Sequence, residues 1–244
     1  MENKVCLVIG ASGGIGKQIA IDFANNGYKV AMQYNKSKHQ IDEVLDSFKE
    51  KSGIFAVKAD ITNPKSITRM VQSVINIFGH IDVLVNCAGI CDYNLLIDET
   101  YDNIINVVGT NLSGVIFTCK EVSKRMISVG CGKIINISSI WGECGASGET
   151  VYSATKGGIN TFTKALAKEL AYSNINVNAI APGVVDTNMM KKFSDKELND
   201  LKNEIPFGRF ATTSDISNMA LFLASDKASY ITGQIITVSG GFAL

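Results

Sequence analysis

Short apolar runs recur along the chain, and most are followed by a longer stretch in which apolar residues return every three or four positions. Residues 5–9, Val-Cys-Leu-Val-Ile, form an uninterrupted apolar run of strand length. A run without polar alternation predicts a strand covered on both faces. Comparable runs lie at 29–33, 54–57, 82–85, 133–137, 175–181 and 235–238. Helix-periodic segments separate them. One passes through Ile19, Ala20 and Phe23, a charged one covers 41–51, and one over 64–78 opens on Pro64, a permitted first-turn position. A long one runs from about 101 to 129, and another begins after Thr150 with Ile159, Phe162, Leu166 and Leu170 as its apolar stripe. The last passes through Ile216, Met219, Ala220 and Leu223, with Thr213 or Ser214 as its cap. Seven strands alternating with helices predict an α/β fold, a seven-stranded parallel sheet doubly wound with helices on both faces. The stretch 187–208 mixes charge, methionine and phenylalanine without one dominant face, and reads as a lid.

Length and hydrophobic content, 244 residues at 46%, fit one domain spanning 1–244. Lys plus Arg and Asp plus Glu are equal at 23 each, so no net charge invites nucleic acid or an anionic membrane. No apolar stretch reaches the length of a membrane helix, and the first residues lead directly into a strand rather than a signal sequence. Six cysteines without a Cys-x-x-Cys pair and only two histidines, His39 and His80, predict no metal centre; the cysteines fit the reducing cytoplasm. These features point to small-molecule chemistry.

Two places carry that chemistry. Gly10, Gly14 and Gly16 follow the first strand and open the first helix. Glycines there allow a tight turn and close backbone approach, and the helix N-terminus offers N–H groups to a pyrophosphate. The second place is Ser139, Tyr152 and Lys156. Tyr152 and Lys156 are four apart in a helical segment and share a face. A cation beside a phenol lowers its pKa, so Lys156 is expected to pull Tyr152 down from roughly 10. Ser139 follows the run 133–137 and would project at the carboxyl edge of the sheet, where such folds bind ligands.

The glycine turn, Ser139 and the Tyr-x-x-x-Lys pair together resemble the short-chain dehydrogenase/reductase family, across essentially the whole chain. That resemblance implies a Rossmann-type fold, a nicotinamide dinucleotide and reduction of a ketone. It places the cofactor's pyrophosphate on Gly10, Ser12, Gly13, Gly14, Ile15 and Gly16. The adenosine ribose falls at the end of the second strand, Tyr34, Asn35, Lys36 and Ser37, where the lack of an acidic residue with Lys36 and Ser37 nearby favours NADPH over NADH. Gly13 stands where NADP-preferring relatives often carry arginine. Asp60 and Ile61 would meet the adenine, and Asn86, Ala88 and Gly89 border the cofactor, with Cys87 and Ile9 departing from the family's Asn and Thr. Pro182, Gly183, Val185 and Thr187 would hold the carboxamide, and Tyr152 and Lys156 the nicotinamide ribose. Asn111 would bend its helix and hold a water linking Lys156 to solvent. The family also implies a homotetramer.

Within the family, Pro206-Phe207-Gly208-Arg209 and the segment 221–234 look like the bacterial 3-oxoacyl-acyl-carrier-protein reductases of fatty acid synthesis. Arginines that often meet the acidic carrier protein in that branch are replaced by Gly130 and Ser173, which leaves the carrier as a possible partner with weaker charge steering. The segment 137–142 also looks like a branch reducing a 5-aminopentanone group on elongation factor P. A non-catalytic dinucleotide sensor is the alternative from another class.

Overall fold

The computed structural model describes residues 4–48, 53–187, 190 and 194–242. Seven strands form one parallel sheet in the order β3-β2-β1-β4-β5-β6-β7. The strands are β1 Val5–Ile9, β2 Lys29–Tyr34, β3 Ile54–Lys58, β4 Val83–Asn86, β5 Gly132–Ile137, β6 Ile175–Pro182 and β7 Ile235–Val238. Each apolar run predicted from sequence lies in one of them, shifted by a residue or two at its ends.

The unbroken apolar character of β1 has a direct cause. Val5, Leu7 and Ile9 face a core built with Val71, Val122 and Ile159, whereas Cys6 and Val8 face one built with Ile19, Phe23 and Leu223. Alternate residues point to opposite faces, and helices cover both. The first core packs α3 Pro64–Phe78, α5 Gly114–Val129 and α7 Thr150–Leu170 on one side. The second packs α1 Gly14–Asn25, α2 Lys38–Ser47 and α9 Thr213–Ala224 on the other.

Chain direction reverses around β1. From it the chain moves to β2 and β3, then crosses back to β4 on the opposite side. The crevice between the carboxyl ends of β1 and β4 is therefore the switch point where such sheets bind ligands.

Three elements differ from expectation. The helix predicted over 101–129 is divided into α4 Tyr101–Val108, a π-helical turn Gly109–Ser113 and α5. The cap of α9 is Thr212, not Thr213 or Ser214; its hydroxyl accepts from the Asp215 N–H while the Asp215 carboxylate accepts from the Thr212 N–H. Sequence periodicity places a helix start only to within a turn, whereas this reciprocal pair fixes it. Within the expected lid, a similar box at Ser194 and Glu197 starts α8 Asp195–Asn203, while residues 188, 189 and 191–193 lie outside the described residues. The four-residue helix α6 Trp141–Cys144 lies between β5 and α7.

Candidate active site

The glycine turn follows β1 because three of its positions have no room for a side chain. Gly10 has φ +79°, and a Cβ there would lie 2.6 Å from the Ala88 nitrogen at the end of β4. At Gly16 it would overlap the Gly10 carbonyl, and at Gly14 it would sit 2.9 Å from the Thr187 methyl. Gly13 is different, since its nearest neighbour is 3.5 Å away. The turn is anchored by a residue that sequence reasoning missed. Buried Gln33 accepts from the Gly10 N–H at 2.8 Å and donates to the Ala59 carbonyl at 2.7 Å, joining the turn to the end of β3. Its signal in the sequence was a lone polar residue inside an apolar strand.

Around this turn lie the other predicted cofactor residues. Ser12 and Ile15 are part of it; Tyr34 is half-buried and Asn35, Lys36 and Ser37 are exposed at the end of β2. The Asp60 carboxylate accepts from the backbone and hydroxyl of Thr62, and Ile61 is buried against Gly114. Asn86 donates to Asn136 across β4 and β5, and Ala88 and Gly89 continue the loop. Pro182 ends β6 and Gly183, Val185 and Thr187 follow it, with Val185 bridged to Ala211. A cleft of about 440 Å³ opens between the start of α1 and this loop, lined by Gly14, Lys17, Asp186, Thr187 and Thr213.

On the other side of the switch point, the polar groups are buried. Ser139 is 7% exposed and Lys156 5%. The Lys156 ammonium donates to the Ile137 carbonyl at 2.8 Å and lies 5.5 Å from the centroid of the Tyr152 ring. The Ser139 hydroxyl stands beside the Tyr152 phenol and favours its ionised form, and the Ser139 oxygen accepts from the Trp141 N–H at 3.2 Å. Gly142 makes the approach possible, because a Cβ there would lie 2.7 Å from the Lys156 backbone carbon. Hydrogen bonds from Ser138 to Asn160 and to the Lys156 carbonyl tie the same loop to α7.

The expected lowering of the phenol pKa does not occur. Burial pushes Tyr152 well above its ordinary value of 10, and the neighbouring Cys91 and Glu149 add to the rise, against the downward pull of Ser139. Lys156 moves the opposite way, from 10.5 down to about 8, because burial disfavours its charge. Burial is the largest cause of both shifts, and the ammonium lies over the ring. The result is a phenol that keeps its proton at neutral pH, the form able to donate.

Asn111 sits in the π-helical turn and is fully buried. Its side chain accepts from the Ile90 N–H at 2.9 Å and donates to the Ile90 carbonyl at 2.8 Å. A 3.4 Å bond to Thr155 ties it to the Tyr152–Lys156 helix. The amide therefore clamps the loop after β4, and a Cβ on Gly89 would lie 3.6 Å from both the Asn111 oxygen and the Lys156 ammonium.

Comparison with known proteins agrees with this geometry. The family model described as enoyl-acyl-carrier-protein reductase matches residues 10–243. The chain belongs to the short-chain dehydrogenase/reductase family and is an oxidoreductase. It is 43% identical over 241 residues to the 3-oxoacyl-acyl-carrier-protein reductase FabG of Staphylococcus epidermidis, covering 98% of each chain. The FabG of Thermotoga maritima is 40% identical, with 100% of this chain and 99% of that one covered. An uncharacterized oxidoreductase of Bacillus subtilis, YmfI, is 39% identical over 98% of this chain and 99% of its own.

The family implies a nicotinamide dinucleotide, and the residues present fit one. Gly10, Gly14 and Gly16 let the turn close tightly on Ala88, Thr187 and its own backbone, and the start of α1 has no side-chain cap on its N–H groups, which leaves them for a pyrophosphate. No helix among the described residues is long and apolar enough to cross a membrane.

Proposed function

We propose that this oxidoreductase uses NADPH to reduce a ketone to a secondary alcohol, and that the ketone is a 3-oxoacyl thioester of the acyl-carrier-protein type. The observation that carries this reading is the grouping of Ser139 and Tyr152 beside buried Lys156, at the sheet edge next to the glycine turn. The names of the FabG relatives support the substrate class. The absence of an acidic residue among Tyr34, Asn35, Lys36 and Ser37 supports the 2′-phosphate of NADPH.

When bound, the reduced nicotinamide supplies the hydride that reaches the ketone carbon. Tyr152 gives its phenolic proton to the developing alkoxide, so the product gains one hydride and one proton. Ser139 donates a hydrogen bond to that oxygen as its charge grows. Lys156, cationic below about pH 8, stabilises the phenolate left behind and holds the ribose. Asn111 keeps the loop beside Lys156 in place and supports reprotonation. Exposed Ile97, Tyr101 and Ile105 around α4 support assembly as a homotetramer, and six scattered cysteines without a Cys-x-x-Cys pair support a cytoplasmic location.

A second reading is favoured by Glu149. Its carboxylate immediately precedes α7 and acts on Tyr152, while Gly130 and Ser173 stand where carrier-binding arginines are expected. A ketone bearing an ammonium group, such as 5-aminopentanone on elongation factor P, suits that charge better than an anionic carrier. Steady-state NADPH oxidation with acetoacetyl thioesters and with an aminoketone, each repeated with NADH, separates the readings. We expect turnover with the thioester and faster rates with NADPH. Turnover confined to the aminoketone would favour the second reading; tight cofactor binding without turnover of either would leave a dinucleotide sensor.

A further inference from the structure

Away from the two main cores, a small apolar cluster joins four segments of the chain. Ile140, Ile205 and Phe242 are buried in it, and Trp141, Val184, Leu201 and Phe210 pack around them. Phe242 follows β7, Leu201 belongs to α8, and Val184 lies in the loop after β6. The Trp141 and Phe242 rings meet edge to face, with centroids 5.7 Å apart and planes at 73°. Ring pairs of this geometry are attractive beyond the area they bury.

The cluster bears on Ser139 through one bond. The Trp141 N–H donates to the Ser139 oxygen at 3.2 Å. A serine hydroxyl has one proton to donate, and an oxygen that accepts from the backbone on one side has that proton directed elsewhere. Trp141 opens a helix of only four residues, too short to hold its own position. Its position is set from outside: the Ile140 N–H donates to the Pro182 carbonyl at 3.0 Å, Gly142 abuts Lys156, and the indole rests on Phe242. Phe242 is itself held by the turn Ser239–Phe242, where its N–H donates to the Ser239 carbonyl at 3.3 Å. Gly240 and Gly241 seat that turn against Ile205, Pro206 and Phe207.

We propose that Phe242, acting through Trp141, is a positioning residue that aims the Ser139 hydroxyl at the reacting oxygen, an inference that rests on the ketone-reductase reading above. The segment after β7 thereby becomes part of the active-site support, although none of its residues need touch substrate.

A double-mutant cycle tests this. We expect Phe242→Ala to lower kcat roughly tenfold, as small misplacements of a reacting group do, with the KM for NADPH nearly unchanged. In a Ser139→Ala background the same change should alter kcat by less than about twofold, because its target is gone. Phe242→Leu, which keeps the packing, should recover most of the rate. Trp141 is the only tryptophan in the chain, so its emission reports the contact without turnover. Phe242→Ala should shift it to the red. An equal loss of kcat with and without Ser139, or a wild-type rate in Phe242→Ala, overturns the proposal. Unchanged emission also overturns it, even in a chain that reduced no ketone; failure of all ketones in the wild type, with the emission shift present, counts against the reductase reading alone.

Discussion

At the carboxyl end of β1 the site is formed by leaving atoms out, while at the end of β5 it is formed by burying polar atoms that would rather be in water. Gly10, Gly14 and Gly16 let the turn pack closely by the side chains they lack. Ser139, Lys156 and Asn111 define a reactive surface by being nine-tenths or more withdrawn from solvent. The first arrangement is steric and insensitive to pH. The second is electrostatic, and its chemistry depends on how burial divides protons between Tyr152 and Lys156. On the proposed reading, one sheet edge holds the cofactor by shape and reacts by charge.

The largest separation between the two regions should come from Tyr152→Phe. We predict a fall in turnover of about 10²–10⁴-fold, the usual contribution of a positioned acid, with NADPH affinity unchanged by fluorescence titration. Comparable loss of cofactor binding would merge the two regions into one.

Next in size is the energetic cost of the buried lysine. The folded pKa of about 8 lies below the unfolded 10.5, so between these values the unfolded chain holds more protons and stability rises with pH. Below about pH 8 the cost is fully present, roughly 3 kcal/mol for a shift of that size. Relative to wild type, Lys156→Met should therefore lose that much stability advantage as pH is raised from 8 to 10.5, measured by denaturant unfolding at each pH. A constant difference would mean the ammonium is solvated.

On the steric side, Gly16→Ala forces the Gly10 carbonyl to move and should weaken NADPH binding by about 10- to 100-fold, the equivalent of 1–3 kcal/mol of overpacking. Gly13→Ala, with its nearest neighbour 3.5 Å away and an ordinary φ of −83°, should change binding by less than about threefold. Equal effects at the two positions would show that the turn does not recognise its ligand by close approach.

The same contrast explains what could be read from the sequence. The strands were legible because burial on both faces leaves unbroken apolar runs, and the glycine turn because steric exclusion writes itself as residue identity. Ser139, Tyr152 and Lys156 were singled out by their spacing and Asn111 by the family resemblance alone, but the sign of the Tyr152 shift was not legible. Spacing showed that a cation would be near; only the fold shows that the ammonium is directed to the Ile137 carbonyl and that both groups are desolvated. Gln33 and the Trp141–Phe242 contact were missed for another reason: each joins elements far apart in sequence, and no local pattern encodes such a pairing.

The most direct measurement is the pH dependence of kcat/KM for NADPH-driven ketone reduction, which reports groups ionising in the free enzyme. We predict a plateau through neutrality and a decline as pH rises through about 8, where Lys156 loses its charge while Tyr152 remains protonated. A profile that instead rises with pH through that range would mean the working form needs an ionised phenol or a neutral amine, and would contradict the proton-donor role assigned to Tyr152.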